Sequence, residues 1–390
     1  MKIACLISSL RLGGAERQLV GLARSLKEAG NEVTVLTYRQ GDFYARELSD
    51  AGVPHRFAGD GKNDAAIVRA LVNYINGTGT EVLISFMTGA NVKACKAKDK
   101  CPGLRVIVSE RSCNICLLPH DLWRFHLYKD YANAVVCNSY SQKEFIDKNC
   151  SWLSHKTVCI PNFVDFEKFF PSVTKVNTVP VITVMARVCA RKNALGLILA
   201  AVKVKQAGCR LVADSSNTIC SRKSIPRLPA SLQPNGSARF IIKWYGVAKE
   251  TPYVRLCRCL IKICGLKNQF LLLPASHDAR QFYCESDFFC LPSFYEGTSN
   301  ALAEALTCGL PAICSDVSDN YRYVLPGKNG FLFNPHKPSC IAKAITDLLD
   351  LDFKAISGMK TASLGIARKS FEKERMVEGY LSLFNQNLSR

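Results

Sequence analysis

Two glutamates flank a loop of small polar residues in the stretch FYEGTSNALAEALTCGLPAI, residues 294–313. Glu296 precedes the loop, and Glu304 follows it, at the fourth helical position if Asn300 is the N-cap residue. Between them lie Gly297, Thr298, Ser299 and Asn300. Backbone N–H groups at the start of a helix bind anions, and carboxylates accept hydrogen bonds from hydroxyls. The pattern therefore indicates a ligand that carries both phosphate and sugar hydroxyl groups.

Two cations follow a predicted strand in the stretch MARVCARKN, residues 185–193. Arg187 offers a planar guanidinium and Lys192 a compact ammonium, which together can neutralise a leaving diphosphate. Two solvated charges in a basic loop are the alternative. The first interpretation is favoured because Glu296 also follows a predicted strand, and ligands of open α/β sheets bind at the carboxyl ends of the strands.

Short apolar runs alternate with helical patterns along the chain. The first of them are KIACLIS, GAERQLVGLARSLKEAG and EVTVLTY, which form a β-α-β unit. A second series begins with VITVMA at 181–186 and continues with CRLVAD at 209–214, which is predicted to be a strand. The proline-interrupted segment 160–180 separates the two series. Continuous apolar strands are typical of parallel sheets, so the chain is predicted to be α/β, with domains at residues 1–170 and 171–375.

A glycine pair, Gly13 and Gly14, follows the first predicted strand. The spacing is not G-x-G-x-x-G, and the second strand ends in Tyr38 and Arg39 instead of a ribose-binding acid, which argues against NAD. No cofactor is predicted. Paired glycines nevertheless allow a ligand to approach the backbone closely.

The composition is that of a globular protein with reduced cysteines. The chain has 390 residues, of which 48% are hydrophobic, enough for two cores. Its 19 cysteines are scattered through apolar stretches, which is typical of buried thiols. Cys113 and Cys116 lack the second ligand pair of a zinc site, so no metal is predicted. No segment reaches the roughly 18–20 apolar residues that cross a bilayer and no secretory signal is evident, so a cytoplasmic location is predicted.

The net charge of +19 is unevenly distributed. Residues 187–280 carry 17 Lys and Arg against 3 Asp and Glu, which indicates an anionic partner such as phosphate, nucleic acid or an anionic membrane. Aromatic residues are not interleaved with the basic ones there, since Trp244 and Tyr245 form an isolated pair, and nucleic acid is not expected. The polar, basic segment 215–239 is predicted to be a surface excursion.

The stretch EGTSNALAEALTCGLPAICSD, with seven residues between its two glutamates, resembles the donor-site motif of family 4 retaining glycosyltransferases. Three other stretches resemble segments of that family in the same order: GGAERQL at 13–19, IPNFVDFEKFF at 160–170 and MARVCARKN at 185–193. The resemblance covers nearly the whole chain and extends to members that build bacterial surface polysaccharides. It implies the GT-B fold, two Rossmann-like domains with a ligand cleft between them.

The resemblance also implies roles for the two domains and their residues. Residues 1–170 are expected on the acceptor side and residues 171–375 on the nucleotide-sugar side, with 376–390 as a helix that packs back on the first domain. Glu304 is expected to hold the ribose and Glu296 the transferred sugar, while catalysis depends on Glu296 and the leaving-group cations. Gly13 and Gly14 are expected to face the donor phosphates and the acceptor, and Glu110 and Arg111 the acceptor.

The resemblance thus implies a metal-independent, retaining glycosyltransferase. It moves a hexose or N-acetylhexosamine from a nucleotide diphosphate sugar, a UDP-sugar by preference, to a saccharide or polyprenyl-diphosphate-linked acceptor. Peripheral association with the cytoplasmic face of an anionic inner membrane follows from the basic charge, with residues 187–280 as the most charged candidate surface. A nucleotide-sugar epimerase on the same fold and a basic nucleic-acid-binding protein are the alternatives.

Overall fold

The computed structural model describes residues 1–59, 63–172, 177–216, 240–276 and 278–385, with the side chains of 208–216 and 385 left undescribed. The backbone forms two compact units. The first comprises Met1–Phe163 with Phe371–Arg390, and the second Val164–Ser370. These bounds lie a few residues from the expected ones at 170 and 375. Nearly all of the basic excursion expected at 215–239 lies outside the described residues.

The first unit is built on a seven-stranded parallel sheet. Its strands are β1 (Lys2–Ile7), β2 (Glu32–Thr37), β3 (His55–Phe57), β4 (Val82–Phe86), β5 (Arg105–Glu110), β6 (Ala134–Cys137) and β7 (Thr157–Cys159). Its first helices are α1 (Gly14–Glu28), α2 (Ala45–Asp50), α3 (Asp64–Thr78), α4 (Thr88–Lys100), α5 (Pro119–Tyr131) and α6 (Tyr140–Asn149), followed by a 3-10 helix (Ser151–Lys156). The spatial order is β3-β2-β1-β4-β5-β6-β7, so the chain changes direction across the sheet between β1 and β4.

The second unit is built on a six-stranded parallel sheet of the same design. Its strands are β8 (Val181–Met185), β9 (Ile241–Val247), β10 (Phe270–Pro274), β11 (Phe288–Leu291), β12 (Ala312–Ser315) and β13 (Gly330–Phe333). A 3-10 turn (Ala190–Lys192) precedes α7 (Ala194–Ser216), and the later helices are α8 (Pro252–Ile263), α9 (Ala279–Cys284), α10 (Asn300–Thr307), α11 (Asn320–Tyr323), α12 (Pro338–Leu349) and α13 (Phe353–Phe371). The spatial order is β10-β9-β8-β11-β12-β13, so the chain changes direction across this sheet between β8 and β11.

The apolar strands form parallel sheets because helices cover both faces. All residues of β4 and β11 are buried, as continuous apolar runs predict. The prediction of two parallel-sheet domains is confirmed. The predicted strand CRLVAD at 209–214 is wrong, because these residues continue the 23-residue helix α7. A short apolar run cannot by itself distinguish a strand from a turn of a longer helix.

A final helix, α14 (Lys373–Asn385), belongs to the first unit although the whole second unit precedes it in the chain. Its buried side chains join the core formed by α1 and one face of the first sheet: Met376, Tyr380, Leu383 and Phe384. The Tyr380 ring stacks on Phe86 with centroids 6.3 Å apart, and its hydroxyl lies 3.3 Å from Ser109 Oγ. Arg105 also donates to the Leu383 carbonyl oxygen at 3.1 Å. The helix is therefore an integral part of this core.

Candidate active site

The carboxyl edge of the second sheet has its crevice where the strand order reverses, between β8 and β11. The connections that follow these neighbouring strands lead to opposite sides, which opens space for a ligand. The two exit loops are joined by a hydrogen bond from the Phe294 backbone N–H to the Arg191 carbonyl oxygen at 2.9 Å. Residues far apart in the sequence are thereby placed in one rigid frame.

The loop after β8 holds Lys192 in a fixed backbone position. Lys192 ends a 3-10 turn, and its N–H donates to the Cys189 carbonyl oxygen at 3.0 Å. The next residue, Asn193, has a left-handed backbone with φ of 58°, which asparagine tolerates better than most residues. Its side chain accepts from Gly196 N–H at 3.2 Å and donates to the Pro335 carbonyl oxygen at 2.9 Å. The Lys192 side chain therefore leaves a well-defined turn.

Arg187 lies at the start of the same loop with an exposed side chain. The carbonyl oxygen just before it, on Ala186, accepts a hydrogen bond from Trp244 Nε1 at 2.7 Å. Gly246 packs so closely on this carbonyl that a Cβ there would overlap the oxygen. The guanidinium forms no ion pair with any residue that the structure describes. It is thus held at the edge of the sheet and is accessible to an anion.

The loop after β11 leads into α10. Ser299, and not Asn300, is the N-cap residue of α10, and its hydroxyl accepts from Leu302 N–H at 3.4 Å. Leu302 occupies the position that a glutamate fills in a capping box, so neither Glu296 nor Glu304 caps the helix. Thr298 is buried, whereas Gly297, Ser299 and Asn300 are partly exposed. The small residues thus lie at the amino end of α10, as an anion-binding loop requires.

Lys192 and Glu296 form an ion pair across the crevice, with Nζ of Lys192 bonded to Oε1 of Glu296. Their side chains are only 13% and 8% exposed. The Glu296 backbone is held separately, because its N–H donates to Ser318 Oγ at 3.2 Å. The structure therefore brings together a cation and a carboxylate that were predicted from separate loops.

Glu304 lies one turn inside α10 and is buried. Tyr283 Oη donates to its Oε2 at 3.0 Å. Tyr283 is itself enclosed in the core, with ring centroids 6.2 Å from Phe169 and 6.0 Å from Phe289. Tyr283 was not predicted from the sequence, since nothing in the spacing of α9 and α10 signals its contact with Glu304. The hydrogen bond fixes the direction of the Glu304 carboxylate.

The glycine pair of the first unit lies at the change of direction in its own sheet. Gly13 is the N-cap residue of α1, with extended backbone at φ of −170°, and Gly14 is the first helical residue. Glu16 lies in the first turn, and its partial burial raises the pKa of its carboxyl group. Both glycines are therefore placed where the backbone of the loop after β1 meets a helix start.

Glu110, at the end of β5, is enclosed by a buried hydrogen-bond network. Tyr128 Oη donates to Oε1 at 2.7 Å, Asn91 Nδ2 donates to the same oxygen at 3.3 Å, and Arg124 Nη2 lies 3.4 Å from Oε2. Burial and the neighbouring Glu110 charge hold the pKa of the Tyr128 hydroxyl well above its usual value. The contact of Glu110 with an acceptor stays a prediction. The network shows that Glu110 also has a structural role.

Arg111 is the next residue and has different surroundings. Its guanidinium stacks over the Phe86 ring at 4.4 Å and bonds to Asn162 Oδ1 and, at 3.3 Å, to Ser109 Oγ. Burial lowers the pKa of this guanidinium. Its assignment to the acceptor likewise stays a prediction.

Within the described ranges, no group of three or more His, Cys, Asp or Glu side chains is arranged to hold a metal ion. No helix in the same part of the chain is long and apolar enough to cross a membrane.

Parts of the chain match two protein families. "Glycosyl transferases group 1" matches residues 165–361, and "Glycosyltransferase Family 4" matches residues 12–168. The first match lies in the part that holds Arg187, Lys192, Glu296 and Glu304, and the second covers the loop at Gly13 and Gly14. The group 1 match alone spans just over half of the 390 residues.

Similar proteins of known activity transfer sugars. An alpha-1,4-N-acetyl-D-galactosaminyltransferase of Campylobacter jejuni that acts on a GalNAc-containing diNAcBac-PP-undecaprenol is 26% identical over 351 residues, covering 84% of this chain and 85% of its own. The UDP-Gal:alpha-D-GlcNAc-diphosphoundecaprenol alpha-1,3-galactosyltransferase of Escherichia coli is also 26% identical, over 226 residues that cover 55% of this chain and 51% of its own.

Solved structures share the fold at low sequence identity. HepE of Anabaena, solved with UDP and glucose, superposes with a TM-score of 0.79 at 18% identity over 98% of each chain. A glycosyltransferase of Rickettsia africae gives a TM-score of 0.77 at 15% identity, over 98% of this chain and 97% of its own. The predicted pair of Rossmann-like domains and the glycosyltransferase activity are confirmed. The chain is a glycosyltransferase with the GT-B fold and belongs to the glycosyl transferases group 1 family.

Proposed function

We propose that the protein transfers a hexose or N-acetylhexosamine from a UDP-sugar to a saccharide linked to a polyprenyl diphosphate, with retention of anomeric configuration and without a metal ion. The observation that carries the proposal is the grouping of Lys192, Glu296 and the Tyr283–Glu304 pair at the carboxyl edge of one sheet. Two relatives named for undecaprenol-linked substrates, one of them for a UDP-Gal donor, support the choice of donor and acceptor.

Donor binding is assigned to two carboxylates with separate partners. Glu304, oriented by Tyr283, accepts hydrogen bonds from the ribose hydroxyls. Glu296 accepts them from hydroxyls of the transferred sugar. The N–H groups of Gly297, Thr298, Ser299 and Asn300 and the amino end of α10 bind the phosphates between these two hydroxyl-bearing parts.

The chemical step depends on stabilising the leaving diphosphate. Negative charge grows on the diphosphate as the bond to the sugar breaks, so cations near it bind more strongly in the transition state than in the ground state. Arg187 and Lys192 supply these cations from one rigid loop. Charge neutralisation is thereby assigned to the chain's own side chains.

Acceptor binding is assigned to the first unit. Gly13 and Gly14 allow close approach to the backbone at the start of α1. Arg111 provides a cation close to the carboxyl edge of β5, and the network around Glu110 holds that edge in place. A lipid diphosphate is an anion that suits such a cation.

Peripheral association with an anionic membrane at the cytoplasmic face is part of the proposal. The net charge of +19 supports it. So does a group of exposed apolar side chains around the start of α5, in which Ile115 is 67% and Trp123 55% exposed, together with Leu118 and Leu122. Tryptophan beside exposed apolar residues is suited to a lipid–water interface. Part of the basic segment 187–280 lies outside the described residues, so the apolar group gives the more specific surface.

The activity test supplies the full chain with UDP-glucose, UDP-galactose or their N-acetylated forms, with and without a saccharide on a short polyprenyl diphosphate. Sugar transfer that requires the acceptor is the expected result. Conversion of one UDP-sugar into its epimer without acceptor would instead support the epimerase alternative. Pelleting with anionic vesicles at low salt and release near 0.5 M salt, where the Debye length is only about 4 Å, tests the membrane part.

A further inference from the structure

The Lys192–Glu296 ion pair joins two side chains that the proposed function assigns to different parts of the donor. Lys192 is assigned to the diphosphate and Glu296 to the sugar, yet in the structure each is the other's partner. A ligand that uses both must therefore replace the contact between them.

We propose that this ion pair is exchanged when the sugar nucleotide binds, and that the exchange makes the site favour the sugar nucleotide over the nucleoside diphosphate that remains after transfer. The inference rests on the proposed function and concerns the same site. Lys192 passes from the Glu296 carboxylate to a phosphate, and Glu296 passes from the Lys192 ammonium to sugar hydroxyls.

The backbone contacts allow this exchange without rearrangement of the loops. The Lys192 turn is closed by its own hydrogen bond to Cys189 and is followed by the fixed Asn193 side chain. Glu296 is held through its N–H by Ser318, and the two loops are joined at Phe294 and Arg191. None of these bonds uses the Lys192 ammonium or the Glu296 carboxylate, so both side chains can change partner on a fixed frame.

Burial makes the exchange selective. Because both side chains are nearly enclosed, a charge left there without a partner is strongly unfavourable. A sugar nucleotide supplies an anion for Lys192 and hydroxyl donors for Glu296. A nucleoside diphosphate supplies the anion alone and leaves the Glu296 carboxylate without the ammonium that it had. Glu296 therefore opposes binding of the product and favours its release.

The test measures UDP binding to the full chain by isothermal titration calorimetry. In Glu296→Gln the Lys192 ammonium has no competing carboxylate, and we expect the Kd for UDP to fall about tenfold, the scale of one charged hydrogen bond. In Lys192→Met we expect UDP binding to weaken by about the same factor. In the double variant the affinity for UDP should equal that of Lys192→Met, because Glu296 acts on UDP only through Lys192.

Two variants serve as controls. Glu296→Asp keeps the carboxylate, and its Kd for UDP should stay within about threefold of the wild-type value. In free energy, this is less than half of the change expected for Glu296→Gln. Asp347→Asn removes an equal charge from an exposed pair with Lys343 near the far end of α12, and it should leave UDP binding unchanged. Glu296→Ala carries the same expectation as Glu296→Gln and is used if the glutamine variant fails to fold.

The outcomes separate the two proposals. Wild-type protein that does not bind UDP would overturn the proposed UDP-sugar donor and the exchange with it. Wild-type protein that binds UDP, with no tighter binding in either folded Glu296 variant, would overturn the exchange alone. Tighter binding that persists in the double variant would also overturn it, since Lys192 would then not be the recipient of the phosphate.

Discussion

The two sheets carry charged residues at their carboxyl edges in contrasting ways. In the first unit, Glu110 is bonded by Tyr128, Asn91 and Arg124, so three side chains from two helices, α4 and α5, hold one carboxylate. In the second unit, Glu296 meets the end of one long, flexible lysine side chain. Both carboxylates are buried. Burial alone therefore does not distinguish the two carboxylates, whereas the kind and number of their partners do, and the proposed exchange at Glu296 depends on that difference.

Arg124→Met should have the largest effect, and that effect should be on stability. Arg124 faces both Glu110 and Asp121, at 3.4 and 2.9 Å, and all three side chains are buried. Its loss leaves two carboxylates buried without their cation, which we expect to lower the free energy of unfolding by about 3–5 kcal/mol. Urea unfolding followed by circular dichroism measures this change.

Arg24→Met provides the matched control in the same unit. Arg24 pairs with Glu47 at 2.8 Å, but the two side chains are 36% and 39% exposed, so its loss should cost less than about 1 kcal/mol. Equal losses in the two variants would show that the Glu110 network is no more structural than a surface pair.

Glu304→Ala should mainly weaken donor binding. The carboxylate that Tyr283 orients is lost, and with it charged hydrogen bonds to the ribose worth about 1.5–3 kcal/mol, or roughly ten- to a hundredfold in Kd. Calorimetry with UDP measures the effect. The exposed Glu285→Ala is the control, and a folded Glu304→Ala with wild-type affinity would exclude the ribose role.

Replacing Arg187 or Lys192 with Ala should lower turnover more than donor affinity. These cations gain most from the charge that develops on the diphosphate, so we expect kcat to fall at least tenfold at saturating donor. Lys343→Ala, in an exposed pair with Asp347, is the control. Near-normal kcat in both site variants would contradict the leaving-group assignment.

Tyr283→Phe should give the smallest change. It removes one hydrogen bond to Glu304 and keeps the ring in its aromatic surroundings, so donor affinity should fall about two- to tenfold. Tyr128→Phe removes the corresponding bond to Glu110 in the first unit and should leave donor affinity unchanged. A similar loss of donor affinity in both variants would mean that the two tyrosine–glutamate pairs are not functionally different.

The grouping of Lys192 with Glu296 could be predicted because both residues lie in loops that follow apolar strands. Those loops come after β8 and β11, at the edge where parallel sheets bind ligands. The family resemblance added their roles. Residues that reach the site from other elements gave no such signal: Tyr283 comes from α9 and Ser318 from the loop after β12.

The structure differs from the sequence-based prediction at two further places, the N-cap of α10 and the segment CRLVAD. Ser299 and Asn300 are both good N-cap residues, and the sequence does not determine which hydroxyl or amide faces the free N–H groups of α10. CRLVAD has the apolar character of a strand, but the helix that begins at Ala194 extends through it. In both cases the residue types alone do not determine the outcome.

The position of α14 has a consequence for the order in which the protein folds during synthesis. Tyr380 and Met376 complete a core whose other residues, such as Phe86 and Leu19, leave the ribosome more than 280 residues earlier. The second unit, Val164–Ser370, is contiguous and contains all its strands before α14 is made. Contacts between distant segments form slowly, and incomplete cores expose apolar surface. The unit encoded second should therefore reach its native packing first, and the amino-terminal unit should be the one that needs protection from aggregation until α14 has been synthesised.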